Sequence, residues 1–239
     1  MARKENEATP AFSNAKFEAT GETKDWLGRT FYRIRAVADI SAIGIVAGTL
    51  GGWIEKETNL SVSGNAWVSG NAWVSGNAWV FGDAWVSGNA WVSGNARVSG
   101  NAWVSGNAWV FGDARVSGNA RVSGNARVYG NAWVSGNARV YGNARVSGNA
   151  RVSKVNLTAV RSDNYTFTVA PTPEGARVIA GCRYFSFEEA REHWTETRAG
   201  TPLGEETFAI LDLLEAQARI HGFEAPVTGE PATREGVGS

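Results

Sequence analysis

The sequence predicts an all-β solenoid, a parallel β-helix of about five triangular coils, with an N-terminal β cap and a small C-terminal α+β module. Three observations carry that prediction. One six-residue phrase, Val-Ser-Gly-Asn-Ala-Trp or its Arg variant, runs through 62–153 of the 239 residues without insertion or deletion. A fixed short period marks a stack of equivalent units instead of a single globular core. Within each phrase Ala and Val alternate with Trp/Arg and Ser, which is the period of a strand, and Gly-Asn then supplies the backbone angles of a sharp corner.

The alternation also fixes which side is inside. Seven of the fifteen copies carry Arg: Arg97, Arg115, Arg121, Arg127, Arg139, Arg145 and Arg151. Seven unpaired guanidinium groups cannot face a narrow dry core. Ala and Val therefore point inward and Trp and Arg outward. Strand, corner, strand, corner at this length closes as a triangle of three repeats per coil. Five coils at the inter-strand spacing give a prism about 24 Å long.

The flanks follow in chain order. Residues 1–14 read as a solvated tail and 15–61 as a β cap. Within the cap, Ala15 to Thr20 and Thr30 to Val37 form two strands joined by a turn-rich Gly21 to Gly28 segment. An open solenoid end exposes strand edges and an apolar core, so a cap is physically expected, with Trp53 and Ile54 placed to plug it. Residues 154–223 hold a hairpin plus two helices. Tyr165 to Val169 and Ala176 to Ala180 flank a Pro171 to Gly175 turn. Ser186 to Glu189 has the form of a helix capping box. Phe208, Leu211, Leu214 and Ala218 mark a second helix from about Glu205 to Ile220, stopped at Gly222. Residues 224–239, rich in Pro, Gly, Thr and Ser, read as a disordered tail.

The repeat, a small residue, any residue, an aliphatic residue and then turn residues, resembles the hexapeptide-repeat family. That resemblance implies a left-handed parallel β-helix, an exception to the usual crossover hand. The flanks narrow it. Tyr32-Arg33-Ile34-Arg35-Ala36, Gly51-Gly52-Trp53-Ile54-Glu55-Lys56-Glu57 and Asn59-Leu60-Ser61 look like the lead-in of small hexapeptide-repeat proteins of bacteriophages and prophages. Arg177-Val178-Ile179-Ala180-Gly181-Cys182 resembles their C-terminal module. The resemblance spans roughly residues 15 to 221. It implies a phage or prophage source but no settled activity.

Composition excludes several classes. The formal net charge is zero, so no global field draws the chain to nucleic acid or membrane. A DNA mimic is not expected either, because the solenoid's outward charges are basic. The most apolar stretch, Ala36 to Leu50, is short and interrupted by Asp39, so no membrane span is expected. Met1 to Glu7 is charged and lacks an apolar signal region, which together with the lone Cys182 suits the cytoplasm of a host cell, with a virion location as the alternative. No enzyme, cofactor or metal site is expected. Acyltransferases of this fold need a His base near a coil edge and a loop leaving the prism. Here the two His, His193 and His221, lie in the C-terminal helical region, where surface roles are expected. Cys182 ends an apolar strand, as a small buried hydrophobe does. Asp83 and Asp113 are corner replacements for Asn.

The outward ladder holds the remaining information. With three repeats per coil, Trp67, Trp85, Trp103, Arg121 and Arg139 stack on one face. Trp73, Trp91, Trp109, Arg127 and Arg145 stack on the second. Trp79, Arg97, Arg115, Trp133 and Arg151 stack on the third. The Trp columns are the expected contacts for a partner, for a second copy (trimer first, dimer second) or for the terminal modules, since so much exposed indole marks a contact surface. Trp stacking and Arg over Trp would also stabilise the coils on their own. The expected function is a non-enzymatic scaffold that binds itself or a host component. The alternatives are a small-anion or nucleotide binder, acting as a counter-defence protein through Arg115, Arg121, Arg127, Arg139 and Arg145, and a virion part. The acidic helix start at Glu188, Glu189 and Glu192 is expected to fold back and relieve these stacked cations.

Overall fold

The computed structural model describes residues 11–153, 157–181 and 183–223. Among the described residues, fifteen two-residue strands, β4–β18, recur every six residues from Trp67–Val68 to Arg151–Val152. Each pairs in parallel with the strand one coil away. Trp103 stands beside Trp85 and Arg121, and Val104 beside Val86 and Val122. Three parallel sheets result, one per face of a triangular β-solenoid.

The in–out alternation holds throughout. The Ala and Val of every repeat, from Ala66 and Val68 to Ala150 and Val152, are buried in one continuous core. At the corners, glycines 64 to 148 adopt φ between 57° and 72°. The following amide hydrogen-bonds to the next coil, as Asn107 N donates to the Gly124 carbonyl at 2.8 Å. Asn side chains continue the ladder outside: Asn89 Nδ2 donates to Asn107 Oδ1 at 3.1 Å, and Asn107 to Asn125 at the same distance.

The N-terminal cap grows out of one face. Strands β1 (Phe17–Trp26) and β2 (Arg29–Ala36) form an antiparallel hairpin; β2 pairs with β3 (Leu50–Ile54), and β3 pairs in parallel with β5. The expected turn-rich Gly21 to Gly28 segment is instead mostly strand. An irregularity between Ala19 and Thr23 absorbs Gly21, and the chain reverses at Leu27 and Gly28, both at positive φ (48° and 71°). Two successive positive angles make the tight hairpin turn whose twist matches the strands. The cap begins earlier than expected. Asn14 Oδ1 accepts from the amides of Lys16 and Phe17, and its Nδ2 donates to Glu57 at 2.8 Å. The rest of the N-terminal tail, residues 1–10, and the tail over 224–239 lie outside the described residues. Ile54 enters the core ladder beside Val74, as a plug should. Trp53 does not: it is the first rung of the outer ladder, beside Trp73, with Lys24 Nζ 4.2 Å from its ring centre. Lys16 is buried against the lead-in and donates to the Ser61 carbonyl at 3.0 Å; burial pushes its ammonium down to about 8.

The far end is closed by an antiparallel sheet of β19 (Leu157–Val160), β20 (Thr166–Thr172), β21 (Gly175–Ala180) and β22 (Arg183–Phe185). Ala170 and Ile179 join the core of the prism, and Tyr184 packs against it. The outer two strands were not legible, being short and beside Gly181 or a polar turn. Helix α1 (Phe187–Arg198) starts at the expected capping box, with Ser186 and Glu189 bonded reciprocally. Helix α2 (Pro202–Ile220) starts a turn earlier than expected, because Thr201 caps it and Pro202 fills its first position. Phe167, Trp194, Leu211 and Leu214 form the separate core of this module.

The register yields a paired expectation. Val104→Asp places an unpaired carboxylate in the core at a cost of several kcal/mol and should abolish the cooperative melt seen by circular dichroism. Trp103→Asp, one residue away and outward, should keep it. The opposite pattern would refute the register.

Candidate functional site

The outer ladder is built by the period itself. Each strand offers the solvent one large side chain, and pairing sets these one inter-strand spacing apart. The three faces nevertheless differ. On the first, Trp67 is completely covered, half-buried Trp85 stacks on Trp103 at 5.7 Å and 13°, and Trp103 is 39% exposed. Trp67 is thus removed from the expected partner contacts: it belongs to a cluster with Phe17, Ile34 and Ile40 of the cap. The indole N–H groups of this column point back along the coil. Trp85 donates to Ser69 at 2.8 Å and Trp103 to Ser87 at 3.2 Å.

On the second face the hairpin folds over the column. Phe31 lies 4.4 Å from Trp73, and Trp26 meets Trp91 edge-on at 4.5 Å. Trp109, one rung further, is 41% exposed. Sequence reasoning missed Trp26, because it lies in the segment read as a turn; a lone aromatic before Leu-Gly was the only signal. On the third face Trp79 stacks on Phe81 at 4.1 Å, and Trp133 is exposed.

The arginines rest partly on the indoles. Arg121 lies over Trp103 at 5.5 Å, Arg127 over Trp109 at 5.2 Å and Arg151 over Trp133 at 6.0 Å. Such contacts contribute roughly 0.5–1 kcal/mol each at exposed sites. Arg139 pairs beside Arg121, Arg145 beside Arg127 and Arg115 beside Arg97. Arg145 Nη1 donates to the Gly181 carbonyl at 2.7 Å. With Arg127, Asn125 and Asn143 it lines a recess of about 220 Å³ at the seam with the C-terminal module.

The expected acidic relief is absent among the described residues. Glu189 is engaged by its own helix cap, accepting from Ser186 N at 2.6 Å, and faces Arg177 at 3.5 Å. The hydrogen bond from the Ser186 amide, and then Arg177, holds its carboxyl below the usual range. Among the described residues, none of the ion pairs includes a solenoid arginine. Helix α1 packs on the C-terminal sheet and α2.

The C-terminal module carries its own polar cluster. Arg161 is buried, paired with Asp163 through two nitrogens at 2.7 and 3.0 Å, and donates to Thr207 at 2.7 Å. The guanidinium holds the Asp163 carboxyl down at about 2. His193 stacks on Phe185 at 5.3 Å, and burial and then Arg183 lower its pKa. His221 caps the end of α2. Cys182 lies outside the described residues. No helix among the described residues is long and apolar enough to cross a membrane.

A family model described as the YdcK beta solenoid repeat matches residues 90–106, 108–124, 120–136, 132–146 and 138–154. The repeat is thus similar to that solenoid unit, and both terminal modules fall outside the match. No curated protein matches the chain.

The bare stacking of cations predicts a stabilising charge reversal. Arg139→Glu would face Arg121 directly and should raise stability by about 0.5–1 kcal/mol at low salt. Urea denaturation should show the gain shrinking in concentrated salt. An unchanged or lower stability at low salt would mean that the arginines are already neutralised.

Proposed function

We propose that the chain is a non-enzymatic binding scaffold that works by self-association through its first face. The observation that carries this is the flat indole pair Trp85 and Trp103, nearly parallel and continued by Arg121. Aromatic residues and Arg are the types enriched at protein contacts. A rigid column of them offers an anchor without a cost in ordering. A trimer is the first expectation, by resemblance to hexapeptide-repeat proteins, and a dimer the second. The same resemblance supports a left-handed coil, a phage or prophage source and work in the host cytoplasm, where the partner would be a second copy or a host protein; the alternative is that the chain is itself a structural component of the virion.

One observation favours a second reading. The Arg121 and Arg139 pair and the Arg127 and Arg145 pair are stacked without a carboxylate partner among the described residues. Like charges so placed favour an anion. A small anionic or nucleotide ligand on the Arg-rich half, as in a counter-defence protein, would supply it.

Sedimentation velocity across a wide concentration range tests the first reading. The native chain should sediment as a trimer or dimer, and Trp103→Glu as a monomer. A native monomer at every concentration would overturn it. Calorimetric titration with cyclic dinucleotides and ADP-ribose derivatives tests the second. Salt-sensitive binding should vanish in the Arg121→Glu, Arg139→Glu double variant, and no binding across the set would remove that reading.

A further inference from the structure

Two lobes of about 190 and 330 Å³ lie where the hairpin tip crosses the second Trp column. They share Trp26, Trp91 and Trp109. The smaller adds Ser93 and Phe111, which follow their strands; the larger adds Asn71 and Asn89, which precede theirs. The indoles thus form the middle of a cleft with polar groups along both sides. Aromatic walls with a few convergent polar groups are the usual make-up of a small-molecule site.

The second observation is that two bonding patterns of the repeat break together at this cleft. Down the Asn columns, the side-chain amide of each Asn donates one coil ahead, as from Asn77 to Asn95 and from Asn89 to Asn107. The ladder is interrupted below Asp83 and Asp113, which have no amide to donate. Among the described residues, the one interruption between two Asn residues is Asn71 to Asn89, at this cleft. The indole pattern fails there too. Trp85, Trp91, Trp103 and Trp133 each donate Nε1 to the Ser sixteen residues earlier. Trp109 would donate to Ser93 by the same rule, and among the described residues that bond is not made; the rule also lapses at the first coil, between Trp79 and Ser63, where no Asn rung is missing beside it. An indole N–H, a hydroxyl, the Asn71 amide and the Asn89 side-chain oxygen are therefore left to serve a ligand at the place where the repeat is most aromatic.

We propose that this cleft is a binding site for a neutral sugar, with a pyranose ring packed on the indoles and its hydroxyls hydrogen-bonded to Asn71, Asn89, Ser93 and Trp109 Nε1. A pyranose has a face of polarised C–H groups that suits the negative face of an indole. Its rim of hydroxyls, each both donor and acceptor, suits a mixed set of amide, hydroxyl and N–H. The charge of the surroundings argues against the other ligand that aromatic walls attract, an organic cation. Lys24 Nζ lies 5.8 Å from the Trp73 ring, Arg127 lies over Trp109, and neither lobe is lined by a carboxylate. This site does not depend on self-association, which uses a different face.

The test is a printed array of neutral glycans probed with the full chain, followed by titration of the best free oligosaccharide, read by tryptophan fluorescence and saturation-transfer NMR. Tetramethylammonium is titrated in parallel. At least one pyranoside should bind, with saturation passed to its ring C–H protons. Trp26→Ala and Asn89→Ala should each weaken binding tenfold or more. Trp133→Ala, on another face, should leave it unchanged. Should Trp26→Ala lower the melting temperature, Asn89→Ala at the exposed ladder carries the same reading. No binding on the array, binding that survives both variants, or binding of tetramethylammonium alone would overturn the proposal.

Discussion

The structure hangs on the close approach of one corner to the next. At the corners from Gly64 to Gly130 a glycine lies against the backbone of the glycine one coil on. A Cβ at Gly106 would sit 2.9 Å from Gly124 N. Such a contact has no room for any side chain, and the backbone angle, φ +67°, already disfavours one. The six-residue period follows from this geometry. Adding or removing one residue would put a side chain where only a hydrogen fits and turn every later Val outward. The unbroken run from Gly64 to Gly148 is the sequence consequence.

Once the corners are fixed, the two sides of the strand face different demands. Inward there is room for Ala and Val, packed coil on coil. Outward, backbone pairing is complete whichever residue is present, so Trp and Arg interchange freely between copies. The outer ladder is therefore where faces can differ, and they do. The first face is a flat indole stack, the second is roofed by the hairpin, and the third mixes Trp with Arg. Local bonds such as Trp85 to Ser69 hold the indoles in place and preorganise the surface.

How much of this was legible depends on whether it is periodic. The triangular prism, its register and the inward set Val68 to Val152 can be read from alternation and the Arg-bearing copies alone. The capping box at Ser186 was readable because capping is local. The hairpin turn was not: Gly21 invites a turn, but the reversal uses Leu27, a residue that seldom takes a positive φ. The acidic helix start was misjudged because a carboxylate that caps its own helix, as Glu189 does, is no longer available to distant arginines. The cleft at Trp26 needs two segments far apart in sequence to meet, Trp26 against Trp91 to Phe111, and only the continuation of β1 and β2 beyond the sheet edge brings them together. Its signature, two missing bonds in a regular pattern, exists only in three dimensions.

The central claim is that corner stacking, and not merely the glycine conformation, holds the solenoid. Gly106 and Gly142 separate the two. Both have positive φ, +67° and +61°, but a Cβ at Gly142 meets nothing within 4 Å because no further coil follows. Gly142→Ala should lose only the left-handed backbone preference, about 1–2 kcal/mol. Gly106→Ala should lose that and more, through the forced separation of two coils. Urea denaturation of the two variants measures the difference directly. A distinctly larger loss for Gly106→Ala is the predicted result. Equal losses would contradict the account and leave backbone conformation alone as the reason for the repeat.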